Sequence, residues 1–543
     1  MYGENEGPQG RDLRSHAAVL LLAVLAAGLV WTATPRGLGL TADSAVYLEA
    51  ARSLTGGEGL RVHDGRGEQV LLSHFPPGYP IVLATGSLVG LTPSETARSL
   101  HALLAGLIPL LFYLLLVRSA VSPPAAAGGT LLLAIFFDVH EQLLMLLSEG
   151  LFLALLLTFL LLVTAWTERR SALLLAGLVL TAALAALVRY VGLFLGPALF
   201  LVLLLGDEED PGRLGRAAGA AVLAMAPALF YKLLTVPREA GPHAASLGIH
   251  PPTLTDLKDL AYTLAAWFFP RGLPIHLLLA VLLLGAVVAG IVLTRLAFRT
   301  AGRPGRDRPS LPLLLFLVGA SYVAALLAAR TLVYANIPFD ERLLRPLYLL
   351  GFLAAVWWAE RVVRHRVLGE REGVMLLTLL AVLGMLKLGE GIEVVRTARE
   401  EGLGLASERI QEAPIMAWLE RLPPDLPVLS NAADAVYLAT GRPARLLPRA
   451  WDVFKDEPLE GGEDEVEQVV DLLRRRGGSL VLLNGTHPRD YLVSPRTLLK
   501  RVPPTDRRCF PIGTVYLFRG EQEDRAATAA DTVPETGGGP DPH

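Results

Sequence analysis

The sequence has one cysteine, Cys509, in 543 residues, so an intrachain disulfide is excluded. It also has little lysine, and its positive charge comes almost entirely from arginine. Basic residues are not in excess: 49 Lys and Arg stand against 52 Asp and Glu, a net charge of −3. A chain with this balance is not expected to bind nucleic acid.

Apolar residues, by contrast, are abundant. They make up 52% of the chain, and the mean hydropathy is +0.46. Most of them lie before about residue 390, in runs long enough to cross a hydrocarbon core of about 30 Å as helices. The first run is expected to be an uncleaved helix and not a signal peptide. The runs predict about eleven transmembrane helices, at 16–34, 98–117, 124–140, 146–166, 171–188, 191–205, 216–235, 274–297, 310–330, 345–362 and 372–388.

The distribution of arginine predicts how these helices are oriented. Alternate short loops carry clusters of arginine, such as Arg169 and Arg170 or Arg361, Arg364 and Arg366, and the N-terminal segment 1–15, with Arg11 and Arg14, lies on the same side. Loops rich in Lys and Arg face the cytoplasm. An odd number of spans then places the C-terminus outside. The sequence therefore predicts a multi-pass plasma-membrane protein with a cytoplasmic N-terminus and an extracytoplasmic C-terminal region.

The region after the last predicted span has a different composition. Its apolar runs are of strand length, and amphipathic helix-like stretches alternate with them, which is typical of a small α/β domain. It has no glycine-rich phosphate loop, so a nucleotide site is not expected. The predicted organisation is mainly α: a transmembrane helical bundle at 16–388, an extracytoplasmic α/β domain at 389–520, and a disordered tail at 521–543.

The first outer loop, 35–97, is too long for a simple connector. It contains Thr41-Ala-Asp43-Ser-Ala-Val-Tyr47, where Asp43 is either a helix cap or a functional carboxylate. Further on, His74-Phe-Pro-Pro-Gly-Tyr79-Pro is a stiff turn with aromatic residues, or simply a loop that starts the next helix.

Other charged residues are predicted at the outer ends of spans. Glu149 begins the fourth span, Arg189 ends the fifth, and Arg342 and Arg345 precede or begin the tenth. Each of them alone fits interfacial anchoring. Together they converge on one leaflet, and charges at membrane depth are costly enough to indicate function.

These motifs, in this order, resemble the GT-C superfamily of polytopic glycosyltransferases, in particular its bacterial protein mannosyltransferases and aminoarabinose transferases. The resemblance covers roughly residues 15–390 and rests on the Asp43 and His74 segments, Ser148-Glu149-Gly-Leu-Phe, Arg189-Tyr-Val-Gly-Leu and Arg342-Leu-Leu-Arg345-Pro. Two positions differ from that family: Asp43 has no acidic neighbour, and Leu343 stands where a tyrosine is usual.

The resemblance implies a GT-C-like fold and transfer of a sugar, with inversion, from a polyprenyl-phosphate donor in the bilayer to an extracytoplasmic acceptor. Asp43 would be the catalytic base. Substrate contacts are expected from Tyr47, His74, Tyr79 and Glu149, and phosphate contacts from Arg189, Arg342 and Arg345. No cofactor is implied with certainty. His74 and Glu149 are of types that ligate a divalent metal, and the sequence leaves open whether one is used.

Three other functions remain open at this point. The same charges could line the pathway of a transporter or flippase, although no internal repeat is seen. The outer domain could instead belong to a non-catalytic envelope scaffold. A polymerase or ligase of lipid-linked glycans is the third alternative.

Overall fold

A computed structural model describes residues 8–136, 142–206, 211–235, 249–267, 269, 311–332, 337–367, 369–453, 456–486 and 489–521. These residues form two compact units. The first unit runs to Arg61 and then from Leu71 to Gly404. The second unit consists of Val62–Val70 and the chain from Leu405 onward. The predicted span 274–297 and nearly all of the predicted disordered tail lie outside the described residues.

The first unit is built almost entirely of helices. Two short 3₁₀ helices, Gly86–Val89 and Tyr190–Phe194, interrupt the series. The described α-helices are α1 Pro8–Ala33, α2 Ala42–Thr55, α3 Gly78–Thr85, α4 Pro93–Arg118, α5 Pro123–Phe136, α6 Glu149–Arg169, α7 Ala172–Val188, α8 Leu195–Gly206, α9 Arg213–Thr235, α10 Leu254–Ala266, α11 Leu311–Leu332, α12 Glu341–Arg364 and α13 Glu370–Glu400.

Seven helices in the described part of the chain are long and apolar enough to cross a bilayer. They are Asp12–Ala33 within α1, together with α4, α6, α9, α11, α12 and α13. Four shorter apolar helices accompany them, at Gly78–Val89, Pro123–Phe136, Ala172–Val188 and Tyr190–Leu205. The predicted polytopic helical architecture is therefore confirmed. The end of the predicted first outer loop, from Pro93, already belongs to α4.

Glycines allow close backbone contacts in this unit. A Cβ atom at Gly106 would lie 2.8 Å from the carbonyl oxygen of Ala23, so α1 and α4 touch through their backbones. A Cβ atom at Gly78 would lie 2.6 Å from the carbonyl oxygen of Leu187. The start of α3 is therefore packed against the last turn of α7, immediately before Arg189.

A short extended contact aligns the starts of α2 and α6. The amide of Gly39 donates to the carbonyl of Leu144 at 2.7 Å, and the amide of Leu146 donates to the carbonyl of Gly39 at 2.8 Å. The hydroxyl of Ser44 also donates to the carbonyl of Leu146, at 2.8 Å. Helix α2 begins three residues after Gly39, and α6 begins three residues after Leu146, so the starts of the two helices are held close together.

The second unit contains a five-stranded mixed sheet in the order β4-β3-β7-β9-β8. Strand β3 is parallel to β4 and β7, while β9 is antiparallel to β7 and β8. This agrees with the predicted α/β composition. The elements from Leu405 are α14 Glu408–Gln411, α15 Pro414–Leu419, β3 Val428–Ser430, α16 Ala433–Thr440, β4 Arg445–Leu446, β5 Trp451–Asp452, β6 Glu457–Pro458, α17 Gly462–Arg476, β7 Gly478–Leu483, α18 Pro495–Arg501, β8 Asp506–Phe510 and β9 Gly513–Phe518.

Alternating residues of the strands belong to two separate apolar cores of this unit. Val428 and Val481 pack with Ile415 on one face of the sheet. Leu429 and Leu480 pack on the other face, among apolar residues of α17 and α18. A period of two along each strand produces this division, because successive side chains point to opposite faces.

A hairpin from the first outer loop is also part of the second unit. Its strands are β1 Arg61–His63 and β2 Gln69–Leu71. The carbonyl of Gly65 accepts a hydrogen bond from the amide of Leu446 at 2.9 Å, and Arg66 lies 3.5 Å from the carboxylate of Glu465. The loop predicted at 35–97 is thus divided between the two units.

Candidate functional site

An arginine from the first turn of α12 joins two carboxylates that are distant in sequence. Nη2 of Arg342 lies 2.8 Å from Oδ2 of Asp43 and 2.7 Å from Oε1 of Glu149. Nε of Arg342 also donates to that Glu149 oxygen, at 2.9 Å. The predicted base and two of the predicted substrate-binding residues are therefore in direct contact.

A second guanidinium completes this charge cluster. Nη1 of Arg189 lies 2.8 Å from Oε1 of Glu149 and donates to the hydroxyl of Ser148 at 3.2 Å. Glu149 is 3% exposed, so its negative charge is shielded from water and requires positive charges nearby. Two guanidinium groups and two carboxylates balance within the cluster Asp43, Glu149, Arg189 and Arg342.

The local structure around Asp43 bears on the interpretation of that residue as a helix cap. Thr41 is the N-cap of α2, and its side chain accepts a bond from the amide of Ser44. Ser44 returns the bond to the amide of Thr41 at 2.9 Å, which completes a capping box. Asp43 lies inside the first turn and has no capping role. Its carboxylate is instead directed to Arg342.

A small pocket opens beside this cluster. Its polar side consists of Glu149 and three arginines, and its remaining lining is apolar or aromatic. The lining residues are Glu149, Phe152, Leu153, Arg189, Val191, Tyr322, Arg342, Arg345 and Pro346. Cationic groups next to an apolar wall are suited to an anionic headgroup that carries a hydrocarbon chain.

Arg345, the third arginine of the pocket, lies one turn beyond Glu341 and 3.8 Å from its carboxylate. The helix that carries Arg342 and Arg345 is capped by Asp340, which accepts from the amide of Leu343 at 2.8 Å. Burial raises the pKa of the Asp340 carboxyl above its ordinary value, although the bond from Leu343 acts in the opposite direction. The cap fixes the first turn, from which both arginines project.

Tyr47 packs against the cluster, one turn along α2 from Asp43. Its hydroxyl lies 3.2 Å from the Ser148 hydroxyl, and its ring lies 4.8 Å from that of Phe75 and 5.0 Å from that of Tyr79. Burial raises the pKa of the Tyr47 hydroxyl, so the group stays protonated at neutral pH. Tyr47 is therefore available as a hydrogen-bond donor next to the charge cluster.

Tyr79 is fully buried beneath Tyr47. Its hydroxyl lies 2.8 Å from Nε2 of His101, and Nδ1 of His101 lies 3.1 Å from the carbonyl of Leu143. Because a carbonyl only accepts, Nδ1 carries the histidine proton, and the Tyr79 hydroxyl donates to Nε2. Tyr79 thus supports the packing of the Tyr47 ring.

His74 is exposed and stacks edge-on against Phe75, with the ring centroids 4.6 Å apart. The residues described do not assemble a metal centre: no group of three or more His, Cys, Asp and Glu side chains comes together among them. Two guanidinium groups on Glu149 would also repel a further cation.

Several residues of the site were not selected from the sequence. Ser148 bridges Tyr47 and Arg189, and Tyr322 donates through its hydroxyl to the carbonyl of Leu343. His101 is a lone histidine in an apolar run, a type of position that is usually structural, and here it holds Tyr79. Only Ser148 had a sequence signal, since it directly precedes Glu149.

Part of the chain is similar to a known protein family. Residues 61–205 match the family model of dolichyl-phosphate-mannose-protein mannosyltransferases. This range includes His74, Glu149 and Arg189. No curated protein sequence matches the chain.

Two solved structures align with most of this chain. ArnT from Cupriavidus metallidurans bound to undecaprenyl phosphate is 16% identical, with a TM-score of 0.50; the match covers 92% of this chain and 97% of that one. The oligosaccharyltransferase of Archaeoglobus fulgidus in the apo form is 14% identical, with a TM-score of 0.44 over 86% of this chain and 69% of that one. The match to ArnT shows that this chain shares its fold, which agrees with the fold implied by the predicted resemblance.

Proposed function

We propose that this chain is a membrane glycosyltransferase that moves a sugar from a polyprenyl-phosphate donor to an acceptor on the non-cytoplasmic face of the plasma membrane. One observation carries the proposal. A carboxylate, Asp43, lies beside a pocket that combines three arginines with apolar walls. A lipid-linked sugar phosphate offers matching groups: an anionic phosphate, an apolar chain and a sugar between the phosphate and the base.

The arginines are suited to the donor phosphate. Guanidinium groups bind phosphate oxygens through paired, charge-assisted hydrogen bonds. Arg345 and Arg342 project from one helix turn, and Arg189 enters from the end of α7. Phe152, Leu153 and Val191 provide apolar contacts for the first part of the lipid chain. The match to ArnT, a protein whose structure contains undecaprenyl phosphate, supports this class of donor.

The chemistry is a single displacement at the anomeric carbon. The acceptor hydroxyl transfers its proton to Asp43 while its oxygen bonds to that carbon. The bond between the carbon and the phosphate oxygen breaks, and its electron pair leaves with the polyprenyl phosphate. Attack opposite the leaving group inverts the anomeric configuration. Arginines on the phosphate stabilise the negative charge that develops there.

The test is transfer by the purified protein in lipid nanodiscs. Polyprenyl-phosphate sugars extracted from a deletion strain, in which the unused donor accumulates, would be the donor pool, and the surface glycan missing from that strain would identify the acceptor. Formation of glycosylated acceptor with release of polyprenyl phosphate is the expected result. Movement of intact lipid-linked sugar across the bilayer without transfer would overturn the proposal in favour of a flippase.

A further inference from the structure

The contact between Asp43 and Arg342 has a consequence for the order of events. Oδ2 of Asp43 is occupied by Nη2 of Arg342 at 2.8 Å. An oxygen that accepts a guanidinium hydrogen is not free to receive a proton from an acceptor hydroxyl along the same direction. The resting arrangement therefore engages one oxygen of the proposed base.

The two carboxylates that pair with Arg342, those of Asp43 and Glu149, are not equivalent. Glu149 has a second cation, Arg189 at 2.8 Å, and its side chain is 5% exposed. In the part of the chain that the structure describes, Arg342 is the one basic side chain within ion-pair distance of Asp43, whose side chain is 30% exposed. If Arg342 moved, Glu149 would remain paired with Arg189 in its buried position, and Asp43 would be released from its ion pair.

We infer that Arg342 is shared between Asp43 in the resting protein and the donor phosphate in the loaded protein, so that donor binding releases the base. This inference rests on the proposed function. The phosphate competes well for the Arg342 guanidinium because it presents several oxygens to the N–H donors of that group. Arg345 and Arg189 bind the phosphate from the other sides. Donor binding thus comes before proton transfer from the acceptor.

The released base then completes a balanced step. Oδ2 of Asp43 takes the acceptor proton, the acceptor oxygen bonds to the anomeric carbon, and the polyprenyl phosphate departs with the electron pair while still held by Arg342. Arg342 therefore positions the donor without touching the anomeric carbon. Dissociation of the lipid phosphate returns the guanidinium to Asp43 and resets the site.

The test measures equilibrium binding of undecaprenyl phosphate at pH 8 and needs no turnover. If phosphate must displace Asp43, then Asp43→Asn should bind the probe on the order of fivefold more tightly than wild type, because a partly exposed ion pair of modest strength no longer competes. Arg342→Gln should bind it more weakly. In the Arg342→Gln background, Asp43→Asn should produce no further change.

Several outcomes would overturn the inference. One is unchanged or weaker binding by Asp43→Asn. Another is a gain of the same size in the Arg342→Gln background, because the effect would then be simple loss of a negative charge. Asp340→Asn is the matched control if Arg342→Gln does not fold. It alters a carboxylate next to Arg342 and keeps the helix cap, so an equal gain in that variant would also contradict the inference. Wild-type protein that does not bind undecaprenyl phosphate at all would instead overturn the proposed function.

Discussion

The carboxylate of Asp43 and the guanidinium of Arg342 are 2.8 Å apart, although 299 positions separate them in the chain. Neither local helix geometry nor a turn can produce this contact. It forms because the Gly39 pairing brings α2 beside α6, and Glu149 at the start of α6 holds the same arginine.

Glu149 is predicted to be the main stabilising charge of this cluster. Glu149→Gln leaves two guanidinium groups without their buried anion, and loss of one member of a buried pair costs about 3 kcal/mol. Thermal unfolding in detergent should show a large fall in melting temperature. Glu341→Gln is the matched control, since that carboxylate lies 3.8 Å from Arg345 and is more exposed. Equal effects from both variants would contradict the assignment.

Tyr79 is predicted to act by packing and not by contact with substrate. Tyr79→Phe removes the hydroxyl that donates to Nε2 of His101. The buried nitrogen then has lost this hydrogen bond, which lowers the free energy of unfolding by about 1–3 kcal/mol. Stability should fall while binding of undecaprenyl phosphate remains. Tyr262→Phe, at an exposed tyrosine, is the control for loss of a hydroxyl. Normal stability with loss of donor binding in Tyr79→Phe would restore the role expected from the sequence.

The second unit is predicted to serve the acceptor and not the donor. A chain that ends after Gly404 keeps the Asp43 cluster and the pocket, but its 62–70 hairpin loses Leu446 and Glu465 as partners. Such a protein should bind undecaprenyl phosphate and fail to transfer sugar to the natural acceptor. A chain that ends after Glu521 should behave as wild type. Loss of donor binding in a folded Gly404 truncation would show that the division of roles is wrong.

The orientation in the membrane is predicted from arginine distribution and is testable with reporter fusions. A reporter enzyme that is active only outside the cytoplasm should be active when it is fused after Gly520. The same reporter should be inactive when it is fused after His365, in an arginine-rich loop. The reverse pattern would place the active site on the cytoplasmic face, where the proposed acceptor would not be found.

Hydropathy was sufficient to predict most of the apolar helices that the structure describes. The run expected at 171–188 is helix Ala172–Val188, and the run expected at 372–388 lies inside Glu370–Glu400. A bilayer imposes a simple length and composition rule on each crossing, so single-sequence patterns predict such elements well. The extension of the last helix to Glu400 follows no such rule, since its final turns are polar.

The site was predicted only in part, for a physical reason. Topology indicates which leaflet a charge reaches, and on that basis Asp43, Glu149, Arg189 and Arg342 were expected on one face. It does not indicate which charges bond, because that depends on packing between distant segments. The burial of Tyr79 against His101 could not be read from either local sequence. The transfer of the 62–70 hairpin to the second unit is likewise a tertiary effect without a local signal.

The most direct test of the central claim is turnover by Asp43→Asn. Thr41 caps α2, so the substitution leaves the cap intact and removes the proton-accepting charge and its ion pair with Arg342. Purified variant, assayed in nanodiscs with its natural donor and acceptor, should fold, bind donor and turn over at least about a hundredfold more slowly than wild type. Asp340→Asn, which removes a nearby carboxylate, should retain most of its activity. Near-normal turnover by Asp43→Asn would contradict the account and show that another group accepts the proton.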